Sequence, residues 1–518
     1  MKVRKKSVLV SIGLISILTI LSKGFGLLRD VFTAAKFGAG RELDIFFAAS
    51  NIPMILFMAI GTAISTTFIP LYNDKKYEGQ EKALEFTNNV LNVFIIVTAI
   101  ISIICMIFSK PISIFLNPGF KGDKLIETAL LTKILLPTLI LNSIIYVFNA
   151  FLQSQESFTV PSMISLPLNI TIILYLLLFG KKYGILGLTI ITFIATMMQI
   201  IPQIYSIRKR GYKYKFYVNL KDKLLIKMGI MILPVLLGTS VQQINSFVER
   251  GFAGNYSSGS LSALNYAYRV FIIFVDIFAV AISTVIYPIM SRQISDNNLE
   301  GMKNTLMKYL INLIILILPI SIIVMIQSRS IIFILFERGA FTKESTMITS
   351  GVLFFYVIGI LAYGIRDFLC KAFYTIKDTK TPMINSGFAM FINIILIIVL
   401  QKLIGLNGIA LANAISTYIA CFLLFISLTK KLKDISTKPI LICIIKTLTA
   451  SSFMACVIIV LNNLLKINLD SKVIVFFKIS VSSLVGILVF IIVGYFINIK
   501  TIRDIIDYVK NSKLNREV

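Results

Sequence analysis

The sequence predicts an all-α integral membrane protein with fourteen transmembrane helices, and three observations carry that prediction. Hydrophobic residues make up 57% of its 518 residues, and the mean hydropathy is +0.89. Charged residues account for only 14%, whereas a typical soluble chain has about 25%. Apolar runs of about 20 residues or more recur from end to end, and a run of that length crosses a bilayer as a helix.

The membrane-spanning helices are predicted at fourteen apolar runs: 7–38, 43–72, 83–109, 125–153, 160–180, 184–207, 224–252, 260–291, 303–327, 345–373, 382–401, 406–429, 439–463 and 473–499. The first run follows a basic segment, as in a signal peptide. Its apolar part is too long for one and no small-residue cleavage site follows, so we expect a retained helix. Several runs exceed what a bilayer about 30 Å thick requires, so we expect them to tilt, kink or project beyond it.

The distribution of lysine and arginine predicts the orientation. We place the N-terminal segment MKVRKK in the cytoplasm, together with the basic connection at 208–223 and the tail at 500–518. The cytoplasmic segments then carry about 28 basic residues and the outside segments about 14, which is the bias that membrane proteins show. Both termini are therefore expected to be cytoplasmic, with the tail as a short amphipathic helix at the membrane surface.

A short motif occurs twice in the chain. AIST-x-x-x-P stands at 63–70 and again at 281–288, an offset of 218 residues. A second match aligns Pro161 with Pro382 at an offset of 221. A nearly constant offset over about 150 residues indicates an internal duplication.

The duplication predicts two parallel six-helix repeats, or lobes, plus two extra C-terminal helices. The N-terminal lobe is expected at 1–207, the basic cytoplasmic linker at 208–223 and the C-terminal lobe at 224–430. The two extra spans occupy 431–499 and the amphipathic tail 500–518. Two parallel lobes around a central cavity are the architecture of alternating-access transporters, in which one lobe rocks against the other.

Several functions are excluded by what the sequence lacks. Histidine is absent, which removes Ser-His-Asp triads, histidine-ligated metals and histidine proton relays. No G-x-x-x-x-G-K-[ST] motif occurs, so no ATP site of that kind is expected. The net charge of +27 sits in short loops without a basic face carrying aromatic residues, which argues against nucleic-acid binding. We therefore expect a protein that is not an enzyme and has no catalytic residue, metal site or cofactor.

Charged residues within the spans are the candidates for function. Each costs at least about 2.5–3.5 kcal/mol at the bilayer centre, so such residues face a watery cavity or each other. Lys23 and Arg269 lie deep in spans one and eight without an adjacent acid. Arg29 is followed by an acid, so it has an alternative role in an interfacial ion pair with Asp30. Arg366 and Asp367 are expected to form a structural pair. Cations from both lobes that converge without matching acids are suited to phosphate or diphosphate.

Two stretches resemble known family signatures. LSKGFGLLRDVFTAAKFGAGRELDIFFAASNIP at 21–53 is similar to the N-terminal pattern of the MurJ/MviN family of lipid II flippases, roughly SR-x-x-G-x-x-RD, then FGAG-x-x-x-D-x-FF, then LPN. AFYTIKDTKTP at 372–382 resembles that family's AFY-x-x-x-DT-x-TP. The resemblance covers essentially the whole chain. It implies the two-lobe fold of the MOP exporter superfamily, with the extra helices at 431–499 forming a groove for a lipid tail.

The resemblance also implies the substrate-binding residues. Arg29 and Arg269 match arginines of the family's cavity, and Asp44 matches the acid that follows FGAG. Lys23 stands where the family usually has arginine, so the charge is kept while bidentate phosphate contact is lost. A further family arginine has no match in NIPMILFM. We therefore expect Lys23, Arg29, Arg269 and Asp44 to bind the substrate.

The function implied is movement of lipid II, the undecaprenyl-diphosphate-linked peptidoglycan precursor, from the inner to the outer leaflet by alternating access. The two departures from the family pattern leave open a flippase for another polyprenyl-linked glycan, of the teichoic acid, O-antigen or capsule type. A MATE-like drug/cation antiporter is a further alternative, which a cationic cavity disfavours because such proteins use acids to bind cations.

The expected location is the bacterial cytoplasmic membrane, as a multi-pass protein. The expected partners are lipid II or a similar polyprenyl-diphosphate glycan, membrane lipids and the cell-wall synthesis machinery. Two energy sources stay open, the membrane potential and a monovalent cation. Some members of the family use a sodium site in the second lobe, but span eleven here has Asn385 and Asn393 without an acid, so we assign no metal site.

Overall fold

The computed structural model describes residues 2–432, 437–465, 471–504 and 507, and every regular element in these ranges is helical. The α-helices are α1 (Lys2–Phe37), α2 (Arg41–Glu78), α3 (Gln80–Ile107), α4 (Ser109–Leu116), α5 (Gly122–Leu135), α6 (Thr138–Ser154), α7 (Thr159–Ser162), α8 (Ser165–Leu178), α9 (Gly184–Met198), α10 (Ile200–Arg208), α11 (Lys223–Ala253), α12 (Ser260–Phe274), α13 (Ala281–Ser295), α14 (Leu299–Ile326), α15 (Ser328–Phe336), α16 (Lys343–Ile358), α17 (Ile360–Thr375), α18 (Lys380–Ile404), α19 (Leu406–Leu432), α20 (Lys438–Leu464) and α21 (Lys472–Phe496). A π-helical turn, Val275–Val280, separates α12 from α13. The all-helical class predicted from the sequence is confirmed.

Most of the predicted spans correspond to helices that are long and apolar enough to cross a membrane. Within the described residues there are nine such segments, and a tenth if α16 and α17, bent by 42° at a short break, form one span. These ten fall on predicted spans three, four, six and eight to fourteen. Spans one, two and seven correspond to α1, α2 and α11, and span five contains the shorter α8. The full count of fourteen crossings stays a prediction.

Proline interrupts or enters several of these helices. The break between α5 and α6 falls at Pro137, which has no N–H to donate to the preceding turn. Pro70 lies inside α2 and Pro288 inside α13, so both copies of the repeated motif carry a proline within a helix. The second copy also follows directly on the π-helical turn.

Packing divides the chain into two compact units. The first comprises Met1–Ser262 with Arg338–Thr342, and the second Ala263–Glu337 with Lys343–Val518. The first unit thus includes α11, which the sequence assigns to the C-terminal lobe, because α11 packs along α2. A hydrogen bond from Arg250 of α11 to Asn51 of α2 supports this packing. The lobe boundaries and the repeat stay predictions. Most of the predicted tail at 500–518 lies outside the described residues.

An aromatic cluster forms much of the core of the first unit. Phe68 of α2 stacks on Phe86 of α3 with ring centroids 5.7 Å apart. Tyr72 of α2 meets Phe151 of α6 edge-on at 5.5 Å, and Phe151 lies 5.4 Å from the ring of Tyr212. Tyr212 belongs to the predicted linker, so the linker contributes this side chain to the core.

In the second unit, an aromatic group fixes α12 against the bent pair α16 and α17. The ring of Phe271 stacks on Tyr356 at 5.5 Å and meets Tyr363 edge-on at 5.1 Å. The hydroxyl of Tyr363 donates to the side-chain oxygen of Asn413 in α19 at 3.0 Å. Phe271 lies two residues after Arg269, so this packing sets the orientation of the part of α12 that carries the arginine.

Candidate functional site

The middle of α1 positions Lys23. The neighbouring Ser22 is 6% exposed, and its hydroxyl donates to the carbonyl oxygen of Ser162 at 3.4 Å. The side-chain amide of Asn169 in α8 donates to the carbonyl oxygen of Ser22, also at 3.4 Å. Lys23 follows about 100° further round the helix and is exposed. The cation is therefore presented away from the face that packs on α7 and α8.

Arg29 forms an ion pair with the acid that follows it. Its Nε and Nη2 atoms donate to Oδ1 of Asp30 at 3.1 and 2.7 Å. The side chains are 22% and 12% exposed, so the pair is only partly hydrated. This is the ion pair with Asp30 that the sequence analysis gives as the alternative role of Arg29. A phosphate that binds Arg29 has to compete with Asp30 for the same donor groups.

Asp44 is buried and fully engaged within the first unit. Its residue is 1% exposed. Oδ2 accepts from Nζ of Lys124 at 3.2 Å and from the backbone N–H of Gly259 at 2.8 Å. Oδ1 accepts from the backbone N–H and hydroxyl of Ser262 at 2.9 and 2.8 Å. These bonds make Asp44 an anchor for the turn Gly259–Ser262, and its role in substrate binding stays a prediction.

The FGAG signature beside Asp44 is a place where backbones approach closely. The backbone N–H of Ala340 donates to the carbonyl oxygen of Ala35 at 2.8 Å. Gly38 has a φ of +72°, and a Cβ there would collide with the carbonyl oxygen of Ala340. Gly259, with a φ of +95°, is equally close to the carbonyl oxygen of Ala39. Glycine is thus required at both positions because no side chain fits and because φ is left-handed.

Arg269 lies in the second unit. It is exposed on α12, less than two turns before the π-helical turn that contains Asp276. Lys23, Arg29 and Asp44 belong to the first unit. The expected convergence of cations from the two lobes on one cavity stays a prediction.

A polar cluster at the second copy of the repeated motif was not predicted. Nζ of Lys371 lies 2.9 Å from Oδ2 of Asp367 and donates to the hydroxyl of Ser283 at 2.7 Å. That hydroxyl donates in turn to Asp367, and Ser283 is 0% exposed. The expected pairing of Asp367 with Arg366 is therefore wrong, since Arg366 reaches the hydroxyl of Ser386 at 3.4 Å instead. The four-residue spacing of Asp367 and Lys371, at which helical side chains face each other, was the available signal.

No group of three or more Cys, Asp or Glu side chains in the described ranges is arranged to hold a metal ion. In span eleven, the side-chain amide of Asn385 donates to the hydroxyl of Ser427 at 3.2 Å. Coupling to the membrane potential or to a monovalent cation stays a prediction.

Comparison with known proteins identifies the family. Residues 33–481 match the family model described as lipid II flippase MurJ. The chain is 28% identical over 491 residues to a probable lipid II flippase MurJ of Buchnera aphidicola subsp. Baizongia pistaciae, which covers 91% of this chain and 93% of that protein.

Comparison with solved structures supports the same family. The chain matches a structure described as lipid II flippase MurJ in an inward closed conformation with a TM-score of 0.80 and 29% identity, over 95% of this chain and 99% of that one. It also matches an inward-facing multidrug resistance MATE family transporter of the MOP superfamily with a TM-score of 0.66. That match has 14% identity over 80% of this chain and 95% of the other, so it shows the fold alone. The all-helical fold, the apolar spans and the family model together show that this multi-pass membrane protein belongs to the lipid II flippase MurJ family.

Proposed function

We propose that this chain is a transporter that moves lipid II from the inner to the outer leaflet of the bacterial cytoplasmic membrane, for cell-wall synthesis. The observation that carries the proposal is the family match over residues 33–481. Relatives and a solved structure that bear the same name cover more than nine-tenths of the chain. Alternating access is the mechanism that fits a fold shared with the MATE transporter.

The proposal includes the finer architecture. Fourteen spans form two parallel six-helix lobes, with both termini in the cytoplasm and the two extra spans at 431–499 along the lipid tail. Nine apolar helical segments in the described ranges, and a tenth if α16 and α17 form one span, fall on predicted spans and support the count. The excess of basic residues in the segments placed inside supports the orientation. The cell-wall synthesis machinery is the proposed protein partner.

The diphosphate of the substrate is proposed to bind Lys23, Arg29 and Arg269, and Asp44 is proposed as a further substrate-binding residue. The exposure of Lys23 and Arg269 supports this, because each side chain is accessible on its helix. At Arg29 the diphosphate displaces Asp30 as the acceptor. An inside-negative potential, worth about 2.3 kcal/mol per charge per 100 mV, favours outward movement of the anionic head group and return of the cationic carrier.

Complementation tests this proposal. A bacterium whose own lipid II flippase can be switched off would express the wild type, Lys23→Ala, Arg269→Ala or the control Arg292→Ala. Arg292 is the matched control because it is a strongly exposed cation. Its ion pair is with Asp296, four residues later on the same helix, at an N–O distance of 3.9 Å. We expect rescue by the wild type and Arg292→Ala, and failure of the other two at equal membrane expression.

The other outcomes are equally informative. A well-expressed wild type that does not rescue points to another polyprenyl-linked glycan, the alternative that lysine in place of the family's arginine favours. Rescue by both Lys23→Ala and Arg269→Ala would reject these cations as the binding site. Lys23→Arg is expected to rescue fully, because it restores the family residue and keeps the charge.

A further inference from the structure

Three buried asparagines of α3 hold the linker at 208–223 in a fixed path. Asn88, Asn89 and Asn92 are each at most 2% exposed. Their side-chain amides donate four hydrogen bonds, of 2.9–3.2 Å, to carbonyl oxygens within 213–219. Two backbone N–H groups of the same segment donate back to asparagine oxygens. Because its backbone is bound at so many points, the linker presents its side chains in defined positions.

Two tyrosines complete this attachment. The hydroxyl of Tyr212 donates to Asn88 at 2.6 Å, and that of Tyr214 donates to Asn92 at 2.8 Å. Tyr212 is 5% exposed, and this burial raises the pKa of its hydroxyl, which therefore stays protonated as a donor. The start of the linker is thus part of the folded first unit.

A cavity of about 770 Å³ lies between this part of the linker and helices α3, α6 and α10. Its walls are mainly leucine, isoleucine and phenylalanine side chains, among them Ile95, Ile144 and Ile204, and Tyr212 and Tyr214 also line it. Its rim carries Arg208 and Lys213. The volume is within the range of about 300–1,000 Å³ that is typical of ligand sites. All of these residues belong to the first unit.

The two cations at the rim are available to a ligand. Arg208 and Lys213 are exposed, and in the described part of the chain neither side chain takes part in any of the hydrogen bonds or ion pairs found. Arg210, by contrast, donates to the hydroxyls of Ser206 and Ser157 at 2.9 and 2.6 Å. The linker contains seven basic residues and one acid, so the local charge attracts anions.

The position of the cavity relative to the membrane follows from its neighbours. The apolar span Gly184–Arg208 ends at the rim, at the level where a helix leaves the hydrocarbon and enters the head-group region. On the linker, Phe216 is 76% exposed and Leu220 66% exposed. Exposed apolar side chains among lysines are typical of segments that lie on anionic membranes.

We propose that this cavity binds an anionic phospholipid of the leaflet that borders the linker. An acyl chain lies against the apolar walls, and the phosphate contacts Arg208 and Lys213. A free phosphate ion would leave the apolar walls empty, and a zwitterionic lipid would gain less from two unpaired cations. The site lies in the first unit, on the linker side of α3, α6 and α10, and none of its lining residues is among those proposed to bind lipid II.

Lipid binding to the purified full-length protein tests the proposal. Binding of phosphatidylglycerol and phosphatidylcholine in detergent would be compared by native mass spectrometry. The test variant is Arg208→Gln with Lys213→Gln, and the control is Lys215→Gln with Lys221→Gln. The control removes the same charge from the same linker but from residues that do not line the cavity.

We expect the wild type to prefer phosphatidylglycerol. Each rim cation accounts for about a fivefold change in affinity, so the test variant should bind about 25-fold more weakly and the control should change little. Ile204→Trp fills the cavity without changing charge and should also weaken binding. Unchanged thermal unfolding of each variant shows that it is folded.

Four results would overturn the proposal. They are equal binding of the two lipids by the wild type, equal losses in the test and control variants, undiminished binding by Ile204→Trp, and displacement of phosphatidylglycerol by undecaprenyl phosphate at a lower concentration. The last would assign the cavity to a polyprenyl lipid. Because the readout is binding alone, none of these results depends on whether the protein transports lipid II.

Discussion

Replacing Asp44 by asparagine tests how the first unit is held together. The carboxylate accepts from four donors, two at each oxygen, and is 1% exposed. Asparagine keeps one acceptor oxygen, so in either orientation two donors face an NH₂ group. Removing one partner of a buried ion pair costs about 3–5 kcal/mol. Lys124 is 18% exposed and so keeps some hydration, and we therefore expect a loss of about 3 kcal/mol in the free energy of unfolding.

Thermal unfolding of the purified protein in detergent measures this loss. The same two helices offer a matched control, because Arg41 of α2 pairs with Glu127 of α5 at 2.7 Å with both side chains more than 40% exposed. Glu127→Gln should cost at most about 1 kcal/mol, as exposed ion pairs do. If Asp44→Asn lowers the unfolding temperature no more than Glu127→Gln does, the carboxylate is not the anchor described above. Its expected role in substrate binding would then be the better explanation.

Four further substitutions have expected outcomes in the same unfolding assay. Gly38→Ala should destabilise the protein by about 2–4 kcal/mol, because φ is +72° and a Cβ would meet a backbone carbonyl. Gly229→Ala is the control: a Cβ there would lie in open space within α11, so this substitution should stabilise the protein by about 0.5–1 kcal/mol. Burial alone would raise the pKa of the Asp378 carboxyl. The hydrogen bonds that this carboxylate accepts, of which that from Lys431 has the largest effect, outweigh burial and lower the pKa to about 2. The contribution of ionised Asp378 to the stability of the fold is therefore complete above a pH of about 4 and is lost as the pH falls toward 2. Asp378→Asn should remove this dependence of stability on pH. Ser283→Ala should cost about 1–3 kcal/mol, since it deletes a buried hydroxyl that bridges the ion pair of α17; an unchanged unfolding temperature would reject that bridge.

The membrane class and most helices could be predicted from the sequence because they depend on local composition. A run of apolar residues long enough to span a bilayer forms a helix whatever its neighbours are, since no water is present to satisfy its backbone. The breaks within the spans are less predictable. Proline explains the one at Pro137, but the π-helical turn at Val275–Val280 has no comparable sequence signal.

The environment of individual charges could not be predicted in the same way. Asp44, the acid that follows FGAG, was interpreted as a substrate-binding residue because of the family resemblance. Its donors include Gly259 and Ser262, more than 200 positions further along the chain, and no periodicity connects them to Asp44. The asparagines of α3 were also missed, because their partners lie in the linker at 213–219 and become apparent only when the chain is folded.

Lipid II translocation by the purified full-length protein in liposomes tests the central claim most directly. The measurement is the rate at which fluorescent lipid II in the inner leaflet becomes accessible to an external quencher that does not cross the membrane. The account predicts a rate well above that of protein-free liposomes, and a loss of about 10- to 100-fold in Lys23→Ala and Arg269→Ala, because each removes a charge-assisted contact worth about 1.5–3 kcal/mol. A folded, reconstituted wild type that moves lipid II no faster than empty liposomes would contradict it.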